Sequence, residues 1–583
     1  MPAKRRKKSS RRLKPYHGFR ARTGEQTLCS WTVGAVPIVN HFLDRMKLEE
    51  ILQRHLPPDD RRLKVPTSRG LLLLVRNVLL SREPMYGLGE WSERYAPDLL
   101  GMTTGQLGKL NDDRIGRCLD RLFEATTPQL IMDVVRHVVD EFAVGLDELH
   151  NDSTTVSFYG AYEDASEEGR RRGRATSAIT FGHSKARRPD LKQLLYILTV
   201  TEDGGVPVYF TTASGNVTDD TTHRATWDLM CELIGNVDFL YVADCKLATS
   251  ENLKYIASHG GRFISILPRT RKEDKTFRQR LLKDPDAIPW NHVYDVNNDE
   301  ELVDRLYVYS AKSTSQEGFR LLWFHSLRKE QRDAASRRRV IERTLKELGE
   351  LRERLESPKT RFRKRTQVEE AVEEILTNRG GEAWVRVSIE EMEQETYQQA
   401  TRGRPGKDTK YVRKVRTRFT LSMEIDQDKV LEAQTTDGVF PLITNDREMT
   451  PEEVLRAYKR QPLIEKRFSQ FKTDFEVAPV CLKEVSRIQA LLCIYFFALL
   501  VQTLLEREVR QAMVDAKEQA LPLYPEGRAC RAPTARRVFD VFESVQRHEL
   551  KRDGEVETFV TELTSVQRDL LRLFSLDHRT FGR

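Results

Sequence analysis

"LKQLLYILTVTEDGGVPVYFTTAS" (residues 191–214) decides the fold. Its flanks, 191–200 and 206–214, are dense in Leu, Ile, Val, Tyr, Phe and Thr, whose branched or flat side chains suit a pleated surface. "EDGG" between them is a turn signal, so the stretch reads as two strands joined tightly. Upstream, "AVGLDELHND" (143–152) reads as a strand ending in an acid. Downstream, Thr218 caps a helix through "TTHRATWDLMCELI", and "VDFLYVAD" (237–244) is a fourth strand, again ending in an acid. Ser250 caps a short helix through "ENLKYIASH", and "RFISILP" (262–268) is a fifth strand. The order β-β-β-α-β-α-β predicts an α/β core, a mixed sheet with helices on its faces.

The chain around this core has 583 residues, enough for several domains. It is 39% hydrophobic and 32% charged, with a net charge of +8 and a pI near 8.9. The excess is uneven: the first 22 residues carry ten Lys or Arg and no acid. Such a segment cannot bury enough apolar surface to fold and attracts polyanions, nucleic acid first. The N-terminus lacks the apolar stretch of a secretory signal. "IQALLCIYFFALLVQTLL" (488–505) is apolar, but Gln489 and Gln502 bound a run shorter than the roughly 20 residues a bilayer needs. It reads as a buried core helix, with no membrane partner. Seven cysteines form no C-x-x-C pair, which fits a reducing cytoplasm without a zinc site or disulfide framework.

Texture divides the chain into a basic tail (1–25), a helical domain (26–140) and the first part of the core (141–270). An insertion follows (271–435), then the second part of the core (436–510) and a helical C-terminal region (511–583). In the insertion, "RRRVIERTLKELGELRERLES" puts Ile341, Leu345, Leu348 and Leu355 on one face of an αα-hairpin. β segments follow, separated by the loop "TRGRPGKD", whose "RGRP" (402–405) matches minor-groove-inserting segments but is also a Pro-Gly turn. Past the insertion, Thr450 and Glu453 form a capping box and open the helix that contains "YKRQPLIEKRFSQFK" (458–472). Tyr458, Gln461, Glu465, Phe468 and Lys472 fall on one stripe of it, and Pro462 predicts a kink one turn before Glu465.

Asp152, Asp244 and Glu465 now stand out. Strand ends along one sheet edge are where open α/β folds place chemistry. Three hard oxygen ligands suit Mg²⁺ or Mn²⁺, and two such ions about 4 Å apart can drive phosphodiester chemistry. Asp147 competes for the first place, but the reading puts it inside the strand. For any single Asp at a strand end a turn-capping role is the simpler reading; the three together favour catalysis.

Here the sequence resembles the insertion-sequence DDE transposases with an RNase H-like catalytic core. The likeness is carried by Asp152 in "HNDSTTVSFYG", Asp244 in "VADCKLATSEN", the "Y…IE..F…K" pattern of "YKRQPLIEKRFSQFK", and "GHSKARRPDLKQ" (182–193). The stretch between Asp244 and Glu465 is far longer than an uninterrupted core needs, as in the subgroup with a large insertion there. Gln461 stands where the family often has Arg, with Arg460 one place early; Pro462 replaces a common Trp, and Ala186 a common Asp.

The resemblance implies a five-stranded RNase H-like sheet flanked by helices, and Asp152, Asp244 and Glu465 as catalytic ligands of two Mg²⁺ ions, with Mn²⁺ able to substitute. It implies DNA partners: residues 26–140 on the terminal inverted repeats, cleavage at those ends, and strand transfer into target DNA by a homodimer on DNA, in the cytoplasm at the nucleoid. Tyr458, Arg460, Lys472, His183, Lys185, Arg187 and Arg188 are candidate DNA contacts; each also has a plainer reading as a core aromatic or a solvated base. Alternatives are a DNA-binding regulator descended from such an enzyme, or an RNase H-like nuclease without strand transfer.

Overall fold

The computed structural model describes residues 20–23, 26–60, 63–162, 169–185, 188–298, 301–478, 480, 482–552 and 555–581. Most of the expected basic tail, and Ala186 and Arg187, lie outside the described residues. The chain forms two compact units, one of Met1–Ser265 with Arg456–Arg583 and one of Ile266–Leu455.

The first unit contains the five expected strands: β1 (Glu148–Phe158), β2 (Lys192–Thr201), β3 (Pro207–Ser214), β4 (Leu240–Ala243) and β5 (Arg262–Ile266). They lie in the order β5-β4-β1-β2-β3. β1–β2 and β2–β3 are antiparallel; β1–β4 and β4–β5 are parallel. One boundary differs with consequence. β1 does not end at Asp152: Thr154, Thr155 and Val156 continue it, and Asp152 pairs with Leu198 mid-strand. Asp147 precedes the strand instead of lying inside it. β-branched residues after the acid extend the ladder as long as β2 offers partners.

Helices α1 (His223–Ile234) and α2 (Ser250–Ser258) follow β3 and β4. The cap of α2 is Thr249, one residue before the expected Ser250, and its hydroxyl accepts from the Asn252 amide at 3.2 Å. Thr218 opens only a short 3-10 turn, Asp219–Thr221, ahead of α1. The capping box at Thr450 is present: its amide donates to the Glu453 carboxylate at 2.7 Å and its hydroxyl accepts from the Glu453 amide at 3.2 Å. Pro462 does more than kink this helix. It ends α3 (Pro451–Lys459) and starts α4 (Pro462–Ser469), because its ring opposes helical geometry before it and suits a first turn.

The apolar run becomes α5 (Val485–Asp515), long and apolar enough to cross a membrane, yet with 83% of its most apolar window buried by the protein's own side chains. Its polar groups bond inward: Gln489 to Thr212 at 2.8 Å and Gln502 to Asp474 at 3.2 Å. Helices Thr67–Leu80 and Asp112–Ala125 pack on α5, where Arg487 makes a two-pronged bond to Asp120 at 2.9 and 2.8 Å. Gly116 permits that approach, since a Cβ there would stand 2.7 Å from the Arg487 guanidinium.

Residues 26–140 are not all helical as expected. Arg20–Thr23 and Gln26–Thr32 join Gln546–Arg552 and Glu555–Val560 in an antiparallel four-stranded sheet, which also replaces part of the C-terminal helical region. These short polar strands carry no clear alternation, and their pairing spans nearly the whole chain.

In the second unit, Asn291–Asn298, Glu301–Ser310, Arg320–Ser326 and Val439–Thr444 pair antiparallel in that order. The αα-hairpin is present as helices Leu327–Glu356 and Arg365–Arg379, with Ile341, Leu348 and Leu355 buried as the stripe requires. It packs on a long ribbon of β6 (Val385–Gln399) and β7 (Tyr411–Ile425) through Val385, Phe419 and Leu421.

Candidate active site

β1 and β4 bring the two aspartates together. They run parallel with Asn151 opposite Ala243, so the next residues, Asp152 and Asp244, emerge side by side at one edge. Asp152 accepts from the Ser153 amide at 2.7 Å, and Asp244 from the Lys246 amide at 2.9 Å. Burial pushes the Asp152 carboxyl up to about 6, with Lys185 opposing the rise and Asp244 adding to it. Burial also raises Asp244. Two half-buried carboxyls, Asp152 raised by burial with Asp244 and Asp219 adding to it and Asp244 raised by burial and Asp219, suit a place that receives positive charge.

A positive charge already lies there. The Lys185 ammonium donates to the Ser153 carbonyl and hydroxyl, both at 2.8 Å, and pairs with Asp219 at 2.9 Å and Asp152 at 3.4 Å. Burial disfavours this ammonium, but Asp152 and Asp219 more than offset that and hold its pKa above the ordinary value. Ser153 in turn donates to Asp219 at 2.7 Å. Asp219 escaped the sequence reading; its only signal was the acid pair after Thr218. The Gly182–Lys185 segment reaches this point because Gly182 lies against the carbonyl of Gly215: a Cβ on Gly182 would stand 1.8 Å from that oxygen. Gln193 ties the crossing by donating to the Gly215 carbonyl at 2.9 Å and the His183 carbonyl at 3.2 Å.

α4 presents Glu465 from a firmly anchored base. Before it, Arg460 donates to Glu148 at 2.6 Å and pairs with Glu202 at 3.0 Å, while His150 bonds Gln461 at 3.2 Å. After it, the fully buried Arg467 donates to the carbonyls of Gly204 and Gly205, at 2.6 and 3.0 Å, in the β2–β3 turn. Arg467 also meets Glu506 of α5 at 3.3 Å. Neither Arg467 nor Glu506 stood out in the sequence, where both look like surface charges.

Glu465 itself is exposed. Tyr458 lies within electrostatic reach of Glu465 and of both aspartates: burial first, then Asp244, Cys245, Glu465 and Asp152, drive its phenol well above its ordinary pKa. Among the described residues no three His, Cys, Asp or Glu side chains stand close enough together to hold a metal ion between them. The donor chemistry nonetheless fits a hard divalent cation: oxygen donors only, with an ammonium lying against Asp152 as a stand-in charge.

The candidate DNA contacts separate. Lys472 lies within electrostatic reach of Lys185 and Asp152: its pKa is lowered by burial and by Lys185, with Asp152 opposing. It sits on a π-helical turn, Gln470–Asp474, which displaces it from the regular stripe expected for it. Arg460 is engaged by Glu148 and Glu202, and Arg188 by both oxygens of Asp190, at 2.8 and 2.7 Å. His183 is exposed, and Lys185 belongs to the acid cluster itself.

Comparison with known families gives two matches. Residues 30–136 match a domain of unknown function (DUF4277), and residues 147–372 match the transposase DDE domain. Residues 147–372 thus carry a transposase DDE domain. The matched DDE span holds Asp152 and Asp244 and stops before Glu465. Curated proteins give this chain no match. Among solved structures it is similar to a piggyBac transposase synaptic complex with hairpin DNA, determined by cryo-electron microscopy. Identity is 11% and the TM-score 0.22, over 48% of this chain and 57% of that one, so this chain spans little more than half of that chain's length.

Proposed function

We propose that this protein is a transposase that binds the terminal inverted repeats of an insertion sequence, cleaves DNA at them and joins the freed ends to target DNA. The observation that carries the reading is the pair Asp152 and Asp244, side by side on parallel strands, desolvated, and both raised in pKa. The strand order β5-β4-β1-β2-β3, with only β1–β2 and β2–β3 antiparallel, supports an RNase H-like core. Asp152, Asp244 and Glu465 would hold Mg²⁺, or Mn²⁺ in its place, which supplies charge stabilisation and an activated oxygen nucleophile to phosphodiester cleavage. Around that, the chain's own groups do the positioning. Asp219 and Ser153 hold Lys185 beside Asp152, where its ammonium can pass from carboxylate to a substrate phosphate. Lys472 adds a second cation at the same edge. Arg460 and Arg467 fix the two ends of the Glu465 segment. Both element ends must be handled together, so the working form is a homodimer on DNA, at the nucleoid in the cytoplasm.

The test uses the full chain with duplexes carrying the ends of its element. Divalent metal should support cleavage, and Asp152→Asn, Asp244→Asn and Glu465→Gln should each reduce it to background while duplex binding persists. Wild-type cleavage by any one variant removes that residue from the site, and cleavage by all three sinks the reading.

A further inference from the structure

The ribbon of β6 and β7 extends well past the core that anchors it. Its register runs from Val385 opposite Ile425 to Gln399 opposite Tyr411, so 15 residues on each side span about 50 Å at strand rise. The near part is packed on the αα-hairpin. Beyond Phe419 the packing stops: Tyr411–Thr417 of β7 are all exposed, and Tyr397 at 62% and Tyr411 at 54% are among the large side chains left open to solvent. An uncovered two-stranded ribbon is marginal in water, so this one is suited to a partner.

The two-residue period sorts its charges. Residues directly opposite share a face, and Lys414, Arg416 and Arg418 lie opposite Thr396, Gln394 and Met392. The acids Glu391, Glu393 and Glu395 take the other face, where Arg413 pairs with Glu395, while Glu390 lies on the basic face nearer the base, opposite Thr420. On the basic face Lys414 donates to the Gln398 amide oxygen at 2.8 Å and Arg418 to that of Gln394 at 3.0 Å. Among the described residues no ion pair holds Lys414, Arg416 or Arg418. Arg418 also donates to the Ser357 carbonyl at 2.6 Å, which steadies the base of the stripe. Alternate residues put these cations about 7 Å apart along the strand. The tip adds Arg402, Arg404, Lys407 and Lys410, all exposed, against the single acid Asp408.

We propose that this basic face and tip form a second DNA-binding element, in which Lys414, Arg416, Arg402 and Arg404 contact phosphates of a duplex. A two-stranded ribbon fits the roughly 12 Å major groove, amide side chains between the cations add hydrogen-bond donors, and the acidic face, which continues the side that Phe419 and Leu421 pack on the αα-hairpin, fixes which side meets DNA. The inference rests on the reading of the chain as an enzyme acting on DNA.

Fluorescence anisotropy of the full chain on a labelled duplex, titrated at several salt concentrations, tests it. Replacing Lys414, Arg416, Arg402 and Arg404 together with Gln removes four phosphate contacts, so the slope of log affinity against log salt should flatten by about 3–4, at roughly 0.9 per contact. Affinity at low salt should fall at least 10-fold, while the urea unfolding midpoint stays put because all four side chains are exposed. Glu393→Gln with Glu395→Gln should leave the slope unchanged. An unchanged slope in the quadruple variant, with metal-dependent cleavage retained, overturns the ribbon and leaves the enzyme reading standing; a wild-type chain that binds no duplex overturns both.

Discussion

Replacing Glu506 with Ala should loosen the Glu465 segment from a distance. Glu506 is fully buried on α5 and answers three cations: Lys466 at 2.9 Å, Arg467 at 3.3 Å and Arg510 at 3.3 Å. It also accepts from Gln470 at 2.9 Å. At 3.3 Å and an effective dielectric of about 20, one such pair is worth about 5 kcal/mol before desolvation. Burial works against the Glu506 carboxylate, yet Arg467 and Lys466 hold its pKa below the ordinary range, so the net interaction favours the ion. Removing it strands the buried Arg467 guanidinium, and an uncompensated buried charge costs about 3–5 kcal/mol. The loss should appear as a lower urea midpoint with unchanged slope, and as faster hydrogen exchange across 462–475. Arg467→Met with Glu506→Leu removes both charges and should recover at least about 1.5 kcal/mol of that loss. Recovery stays partial because the carbonyls of Gly204 and Gly205 lose their donor. A cost below about 1 kcal/mol for Glu506→Ala, or no recovery in the double variant, would refute the anchoring role.

Other expectations concern groups around the same sheet. Burial lowers His223 to about 4 from 6.5, so the fold prefers its neutral form; its contribution is complete above pH 6.5 and is lost as pH falls toward 4, about 2.5 kcal/mol by pH 4.5. His223→Gln should flatten the pH dependence of the urea midpoint by that amount, and an equal slope in both proteins would contradict it. Gly215→Ala would put a Cβ 2.1 Å from the Gln193 carbonyl and 2.6 Å from that of Thr180; neither backbone can yield, so stability should drop by about 2–3 kcal/mol, read by thermal unfolding. Lys185→Met removes the cation nearest Asp152 and should tighten Mn²⁺ binding about 10-fold in calorimetry, about 1.4 kcal/mol, while slowing DNA cleavage; unchanged metal affinity would show that the ammonium does not compete for that place.

The sequence by itself determined the five strands, their alternation with helices, the Thr450 capping box and the αα-hairpin, because each is written in spacing over a dozen residues or fewer. It also picked out Asp152 and Asp244 as neighbours at one sheet edge. Tertiary structure decided the rest. β1 runs past Asp152 because β2 supplies partners as far as Lys192, which no local pattern states. The strands at Arg20–Thr32 and Gln546–Val560 exist only through each other, so neither half signals alone. Arg467 and Glu506 read as solvated charges on their own helices and become a buried pair only when α4 meets α5. Asp219 joins the aspartates through Lys185, a contact between a loop and a 3-10 turn that hydrophobic periodicity cannot encode. Local period fixes which face a residue takes; only the packing of distant segments fixes what that face meets.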